Sequence, residues 1–197
     1  MVNTVGSIHT NSGDVAGSSV SIGDLAYNTV TGTLFGITSN AQSSTWGGDI
    51  YTIDTGTGLA TFVSTTIWDT NAGIAFDTSG TFYALGYAPA VGPAGTNMLF
   101  TLDTTTGAKL SRVTVDLNDF IFVGLIVNPE TDEIFTGERF TGSVYTVDAG
   151  TGAMDLLGMP TGAFVSDLAF RVPEPGTLAV LALGLVGLGI IRRRRVT

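Results

Sequence analysis

The chain has 197 residues, with 27 glycines, no cysteine and only 13% charged side chains. Residues 1–171 hold 16 of the 17 acidic groups but only four of the eight basic ones, Lys109, Arg112, Arg139 and Arg171. A body with this surplus of negative charge repels a nucleic-acid backbone, so nucleic acid is excluded as a partner. The lack of cysteine excludes disulfides, thiolate catalysis and Cys-ligated zinc. Abundant Gly and Thr suit short strands joined by tight turns rather than long helices.

The chain opens in mid-repeat with M-V-N-T-V-G-S-I, without a basic leader or an apolar run of signal-peptide length. Val2–Ile8 reads as an outermost strand. The expectation is a C-terminal part of a longer protein, incomplete at its N-terminus; a self-paired assembly of open arrays is the alternative. His9 is the only histidine, which rules out a multi-His metal site. It reads as a solvated bystander.

From residue 24 onward the sequence repeats. A first motif reads D-L-A-Y-N (Asp24–Asn28), G-I-A-F-D (Gly73–Asp77), G-L-I-V-N (Gly124–Asn128) and D-L-A-F-R (Asp167–Arg171). After the first three come L-F-G-I at Leu34, F-Y-A-L at Phe82 and E-I-F-T at Glu133. The next motif reads I-Y-T-I-D-T-G-T-G (Ile50–Gly58), L-F-T-L-D-T-T-T-G (Leu99–Gly107) and V-Y-T-V-D-A-G-T-G (Val144–Gly152). Closing strands follow at 60–66, 109–116 and 153–157. Each unit reads as four strands in about 45 residues, the size of one β-propeller blade.

In the strands at Ile50, Leu99 and Val144 neighbouring residues are both apolar, as expected where both sheet faces are covered. The expected fold is all-β: a partial β-propeller of about three four-stranded blades, with Phe164–Arg171 as an extra inner strand. A β-sandwich or solenoid built from the same strands remains open. The aliphatic-aromatic-x-aliphatic-Asp pattern followed by Thr-Gly resembles a broad class of bacterial propellers, which host binders, scaffolds and enzymes alike.

Candidate chemistry is sparse. Asp54, Asp103 and Asp148 suit oxygen coordination of calcium, but Asp at the start of a Gly-containing turn serves first as an acceptor for backbone N–H groups. Asp24 and Asp167 share an inner-strand position facing a propeller channel, where Gly73 and Gly124 stand in the other copies. Asp132, Glu133 and Glu138 read as a solvated acidic hairpin beside Arg139. Trp46, Trp68, Phe82, Tyr83 and Tyr87 are candidates for stacking on sugars, although most also suit packing between blades. No phosphate loop, G-x-S-x-G elbow or H-E-x-x-H stretch is present. No catalytic residue, cofactor or metal ligand is assigned, and the chain is expected not to be an enzyme.

Residues 172–197 form a second unit. Val172, Pro173, Glu174 and Pro175 precede an uncharged apolar segment at 177–191, and Arg192, Arg193, Arg194 and Arg195 follow. Fifteen residues of helix span roughly 22 Å, against about 30 Å of hydrocarbon. A short transmembrane helix is expected, its ends accommodated by local thinning and snorkelling, with the arginines on the cytoplasmic side. The two prolines stop the helix from running back into Arg171 and leave an extended peptide at the membrane face.

Pro-Glu-Pro, a short apolar segment and a terminal Arg cluster, in that order, resemble the PEP-CTERM sorting signal of Gram-negative bacteria. That resemblance implies recognition and cleavage by a membrane-embedded exosortase after passage through the inner membrane. The implied destination is the periplasm, outer surface or extracellular matrix, in association with exopolysaccharide. It implies an exosortase, the membrane and a polysaccharide as partners. The expected function is a surface or matrix protein with a non-catalytic propeller binding module. The alternative is a propeller hydrolase or lactonase using channel carboxylates and a divalent cation.

Overall fold

Short ladders joined by tight turns dominate the computed structural model, which describes residues 8–9, 19–20, 22–38, 48–65, 70–87, 96–116, 122–159 and 168–169. Strands β1 (Ile8–His9) and β2 (Ser19–Val20) pair with each other, Ile8 opposite Val20. Sheet 1 then comprises β3 (Ile22–Asn28), β4 (Thr33–Thr38), β5 (Asp49–Ile53) and β6 (Ala60–Thr65). Sheet 2 comprises β7 (Thr70–Phe76), β8 (Phe82–Tyr87), β9 (Asn97–Leu102) and β10 (Lys109–Thr114). Sheet 3 comprises β11 (Phe122–Val127), β12 (Ile134–Glu138), β13 (Val144–Val147) and β14 (Met154–Gly158). Each is an antiparallel meander in which every strand pairs with its sequence neighbour.

The three meanders stand side by side, with their first strands β3, β7 and β11 adjacent at the hub. This is a propeller-like array of three blades. The first strand of each sheet carries a register shift near its start, between Ile22 and Asp24, Asn71 and Gly73, and Val123 and Leu125. A bulge there sharpens the local twist of the strand.

The blades are joined by apolar faces. Between sheets 1 and 2 lie Ala26, Phe35, Ile37 and Ile50 from one side and Ile74, Phe82, Met98, Phe100 and Leu102 from the other. The Phe35 ring sits 5.2 Å from those of both Phe76 and Phe82, which stack on each other at 4.5 Å. Between sheets 2 and 3, Ala75, Leu85 and Leu99 meet Leu125, Val127, Ile134, Tyr145 and Val147. Leu99 and Phe100 are adjacent in sequence and buried against opposite neighbours, which is why Met98–Phe100 in the middle of β9 is apolar without alternation. Strand β13 alternates instead, with Tyr145 and Val147 buried and Val144 and Thr146 half-buried. Among the described residues, sheet 3 has a sheet on one side only.

The ladders correct one sequence alignment. Tyr27 pairs with Leu34, Phe76 with Phe82 and Val127 with Ile134, so Ile134, not Glu133, is the third-blade equivalent of Leu34 and Phe82. The β11–β12 turn is one residue longer than the β7–β8 turn, which displaces the motif by one position. The last strand of sheet 3 likewise runs Met154–Gly158 rather than 153–157. Of the expected inner strand Phe164–Arg171 only Leu168 and Ala169 are described, and they belong to no strand. Most of Val2–Ile8 and the whole segment 172–197, including the expected helix 177–191, lie outside the described residues. Among the described residues no helix is long and apolar enough to cross a membrane.

Glycine is required at the hub. A Cβ on Gly73 would collide with the backbone nitrogen of Leu125 and stand 2.6 Å from the carbonyl carbon of Gly124 and 2.8 Å from Asp24 Oδ2. The obstacles are mostly backbone and cannot rotate away. Gly73→Ala is therefore expected to destabilise the fold by about 1–3 kcal/mol, the usual cost of overpacking. Leu110→Ala, at a position 67% exposed, should change stability by less than about 0.5 kcal/mol. Urea denaturation of both variants checks this; equal stabilities would show that the hub yields.

Candidate functional site

The sequence-derived candidates fall into four places: the hub carboxylate, the repeated Asp turns, an acidic groove between sheets 2 and 3, and the tail. At the hub, Asp24 Oδ2 accepts the N–H of Ile74, at 2.7 Å, and Oδ1 accepts that of Leu25, also at 2.7 Å. The carboxylate therefore links the first strand of sheet 1 to the first strand of sheet 2. Its inner-strand placement agrees with the sequence reading, and its chemistry there is a backbone clamp. Asp167 lies outside the described residues.

The three Asp-x-x-Thr-Gly turns are superimposable in their bonding. Asp54 Oδ1 accepts from Gly56 N at 3.0 Å, Thr57 N at 2.7 Å and Thr57 Oγ1 at 2.8 Å. Asp103 receives Thr105 N, Thr106 N and Thr106 Oγ1 at 3.0, 2.7 and 2.8 Å. Asp148 receives Gly150 N, Thr151 N and Thr151 Oγ1 at 3.0, 2.7 and 2.7 Å. Each turn closes when the N–H of Gly58, Gly107 or Gly152 donates to the carbonyl of its Asp. These glycines have φ of +75°, +66° and +80°, which favours glycine there.

Hydrogen bonds lower the pKa of all three carboxyls. The largest contribution is the Thr57 hydroxyl for Asp54, the Thr106 N–H for Asp103 and the Thr151 hydroxyl for Asp148. Among the described residues no three His, Asp or Glu side chains form a metal-binding group.

A fourth turn of the same kind stands outside the sequence repeat. In E-R-F-T-G-S, between β12 and β13, Glu138 Oε2 accepts Phe140 N at 3.0 Å and Thr141 Oγ1 at 2.7 Å, and it also accepts Thr141 N. Gly142 N again returns to the carbonyl of the residue four before it, Glu138. Glu138 is 2% exposed, which corrects the reading of a solvated acidic hairpin. The Thr-Gly pair was the available signal. It was hidden because Glu replaces Asp and the turn joins the second and third strands instead of the third and fourth.

Asp132 is also structural. It is the only non-glycine with positive φ among the described residues, at +58°, where sheet 1 has Gly32 at +69°. Its carboxylate accepts Thr78 N at 2.9 Å and Thr78 Oγ1 at 2.8 Å, bridging sheets 3 and 2. The left-handed backbone is tolerated by Asp and offset by this bridge.

A groove of about 450 Å³ opens beside that bridge, lined by Asp77, Tyr83, Asp132, Glu133, Asp148 and Asp155 among others. Asp77 is partly buried, which raises its pKa, but bonds from Ser79 and Thr81 outweigh this and hold it below the ordinary value. The Tyr83 phenol is pushed up by burial and by the nearby Asp77 charge, and its hydroxyl lies 3.3 Å from Asp77 Oδ2. Of the candidate stacking aromatics, Phe82 is 1% exposed and belongs to the core, and Tyr83 is half-buried. Trp46 and Trp68 lie outside the described residues. Tyr87 ends β8 and His9 ends β1.

Residues 171–195 match the PEP-CTERM protein-sorting motif. The chain carries a PEP-CTERM sorting signal. The signal marks a chain exported by a Gram-negative bacterium and processed by an exosortase. The motif match spans Val172, Pro173, Glu174, Pro175 and Arg192–Arg195, which lie outside the described residues. No curated protein matches the sequence. Among solved structures the chain is similar to YCF48 bound to D1 peptide, with 12% identity and a TM-score of 0.48, over 71% of this chain and 40% of that one. It is also similar to a protein of unknown function from Bacteroides caccae, with 10% identity and a TM-score of 0.49, over 79% of this chain and 52% of that one. The chain thus spans about half or less of the length of each.

Two outcomes follow from the turns. Because the folded pKa values of Asp54, Asp103 and Asp148 are depressed, their contribution to stability is present above the unfolded value of about 3.9 and is lost as pH falls through the folded values. Thermal melts followed by circular dichroism should be flat from about pH 7 to 5 and fall below about pH 4. Replacing all three with Asn should lower the melting temperature at neutral pH and flatten the acid limb; an unchanged acid limb would place the titration elsewhere. Glu138→Ala leaves the Phe140 and Thr141 N–H groups without their carboxylate, at a cost of about 1–3 kcal/mol. A urea midpoint equal to wild type would contradict the buried cap.

Proposed function

We propose that the protein is a surface- or matrix-destined, non-catalytic binding module whose ligand is the exopolysaccharide of its own cell envelope. The observation that carries this reading is the sorting signal at 171–195. In the proposed order of events the segment 177–191 enters the inner membrane with Arg192–Arg195 on the cytoplasmic side. The exosortase then cuts near Pro173–Pro175, and the body passes to the periplasm, outer surface or extracellular matrix. The paired prolines supply an extended, non-helical peptide at the membrane face, the form a protease or transpeptidase accepts.

The body suits a binding rather than a catalytic role in the way its carboxylates are used. Asp24, Asp54, Asp103, Asp132, Asp148 and Glu138 each accept backbone N–H groups, and a carboxylate held in this way is fixed in place. An acid of this kind stabilises a turn and is poorly placed to shuttle protons. A body rich in Thr, Ser and Gly offers hydroxyls and backbone groups for hydrogen bonding to sugar hydroxyls.

The test is to express the full chain, tagged within the body, in a Gram-negative host with and without its exosortase. The tagged body should leave the membrane fraction, shortened at the C-terminus, only when the exosortase is present. It should then co-sediment with purified exopolysaccharide. Substituting Pro173, Glu174 and Pro175 by Ala should retain the full-length chain in the membrane. A tail-intact body in the cytoplasm would sink the export reading, and a released body that ignores the polysaccharide would sink the ligand.

A further inference from the structure

The Lys and Arg side chains among the described residues are Lys109, Arg112 and Arg139, and two of them lie on one strand. Strand β10 is the outermost of sheet 2, and Lys109, Leu110, Ser111 and Arg112 are all exposed. In a regular strand, residues three apart point to opposite faces. Here the register shifts: Lys109 pairs with Leu102, Ser111 with Thr101 and Arg112 with Phe100. Leu110 is the extra residue of this bulge, which returns Lys109 and Arg112 to one face. Their partners Leu102 and Phe100 belong to the apolar layer between sheets 1 and 2. The two cations therefore stand on the side of sheet 2 that looks toward sheet 1.

The sister blades form the same strand without either charge. Ile53 pairs with Ala60 and Tyr51 with Phe62 in sheet 1, and Val147 pairs with Met154 and Tyr145 with Leu156 in sheet 3. Lys109 thus replaces Ala60 and Met154, and Arg112 replaces Phe62 and Leu156. Charge on an outer strand also deters pairing with other chains, but that role needs no bulge to bring two like charges together. Lys109 Nζ sits 5.7 Å from the centroid of the buried Phe100 ring, which fixes the ammonium in place. Partial burial, and after it the Arg112 charge, lower the Lys109 pKa. Across the junction, Thr61 pairs with Thr52 and Ser64 with Ile50, so both hydroxyls turn to the sheet 2 side. A Cβ on Gly107 would strike Ser64, so the turn that leads into Lys109 abuts that strand.

We propose that Lys109 and Arg112 form a subsite for the carboxylate of a uronic-acid sugar, with Thr61 and Ser64 placed to bond its hydroxyls. Two neighbouring cations are best satisfied by an anion that both can bind. The inference rests on the polysaccharide reading above and adds the charge of the ligand. The acidic body repels a polymer of closely spaced charge such as nucleic acid, whereas a carboxylate spaced along a polysaccharide needs only this pair.

An NMR titration of the full chain in detergent micelles tests this, with trigalacturonate, its methyl ester and maltotriose as probes. Trigalacturonate should shift the amide signals of residues 109–112, and raising salt from about 0.05 to about 0.5 M should weaken its binding. The two neutral probes should bind about tenfold more weakly, and Lys109→Ala and Arg112→Ala should each cost a similar factor. Arg112→Lys should retain most of the affinity, and Arg139→Ala all of it. Equal binding of the ester would overturn the proposal. So would binding lost when Arg192→Gln, Arg193→Gln, Arg194→Gln and Arg195→Gln are combined, which would place it in the tail. Co-sedimentation of the Lys109→Ala, Arg112→Ala variant with the exopolysaccharide at wild-type strength would overturn the subsite and leave the polysaccharide reading standing. A wild type that binds trigalacturonate but not the exopolysaccharide would do the reverse. Circular dichroism of the double variant distinguishes loss of the subsite from loss of the fold.

Discussion

The close approach of the first strands at the hub is the constraint on which the array depends. Gly73 lies so near Gly124 and Leu125 that no side chain fits between sheets 2 and 3 there. Between sheets 1 and 2 the same position holds Asp24, whose carboxylate reaches the Ile74 N–H. One junction is thus made by removing a side chain and the other by using one as a clamp. Once these strands are fixed, the outward fan of each meander brings Phe35 onto Phe76 and Phe82, and Leu99 onto the sheet 3 face. Dispersion and apolar burial provide most of the stabilisation, but the hub sets where those faces meet.

At the periphery, side chains do for each turn what a longer protein core would otherwise do. Asp54, Asp103, Asp148 and Glu138 each bind two backbone N–H groups and one Thr hydroxyl. Asn28 and Asp77 do the same job in the first hairpins, accepting Val30 N and Thr31 N, and Ser79 N and Thr81 N, respectively. The acidic surplus of the body is in good part the chemistry of its turns. Acidic side chains suit that role because a carboxylate accepts several N–H bonds at once and gains strength from its charge.

Much of this was readable in advance because it is local. Three copies of an apolar strand followed by Asp-x-x-Thr-Gly announce both the strand and its turn, and β5, β9 and β13 lie where those copies place them. What sequence does not display is pairing across blades. Nothing near Asp24 announces a bond to a residue fifty positions on, and nothing near Asp132 announces Thr78. The burial of Glu138 is hidden in the sequence for a related reason: charge is a poor guide to exposure when the neighbouring backbone can satisfy it. The sorting tail was legible as a motif because its three parts are contiguous, although its residues lie outside the described structure.

Locality also fits the route that the sorting signal implies. In each meander every strand pairs with its sequence neighbour through a short connection, and the Asp turns are closed by residues at most five apart. Contacts of this kind require little loop closure before they are rewarded, so each blade can form from its own segment. With no cysteine, refolding needs no disulfide chemistry. The non-local steps are the meeting of the apolar faces between sheets, the hub contacts at Asp24, Gly73 and Gly124 and the bridge from Asp132 to Thr78. Substitutions at the hub and the bridge should therefore weaken the joining of the three sheets more than the ladders within each.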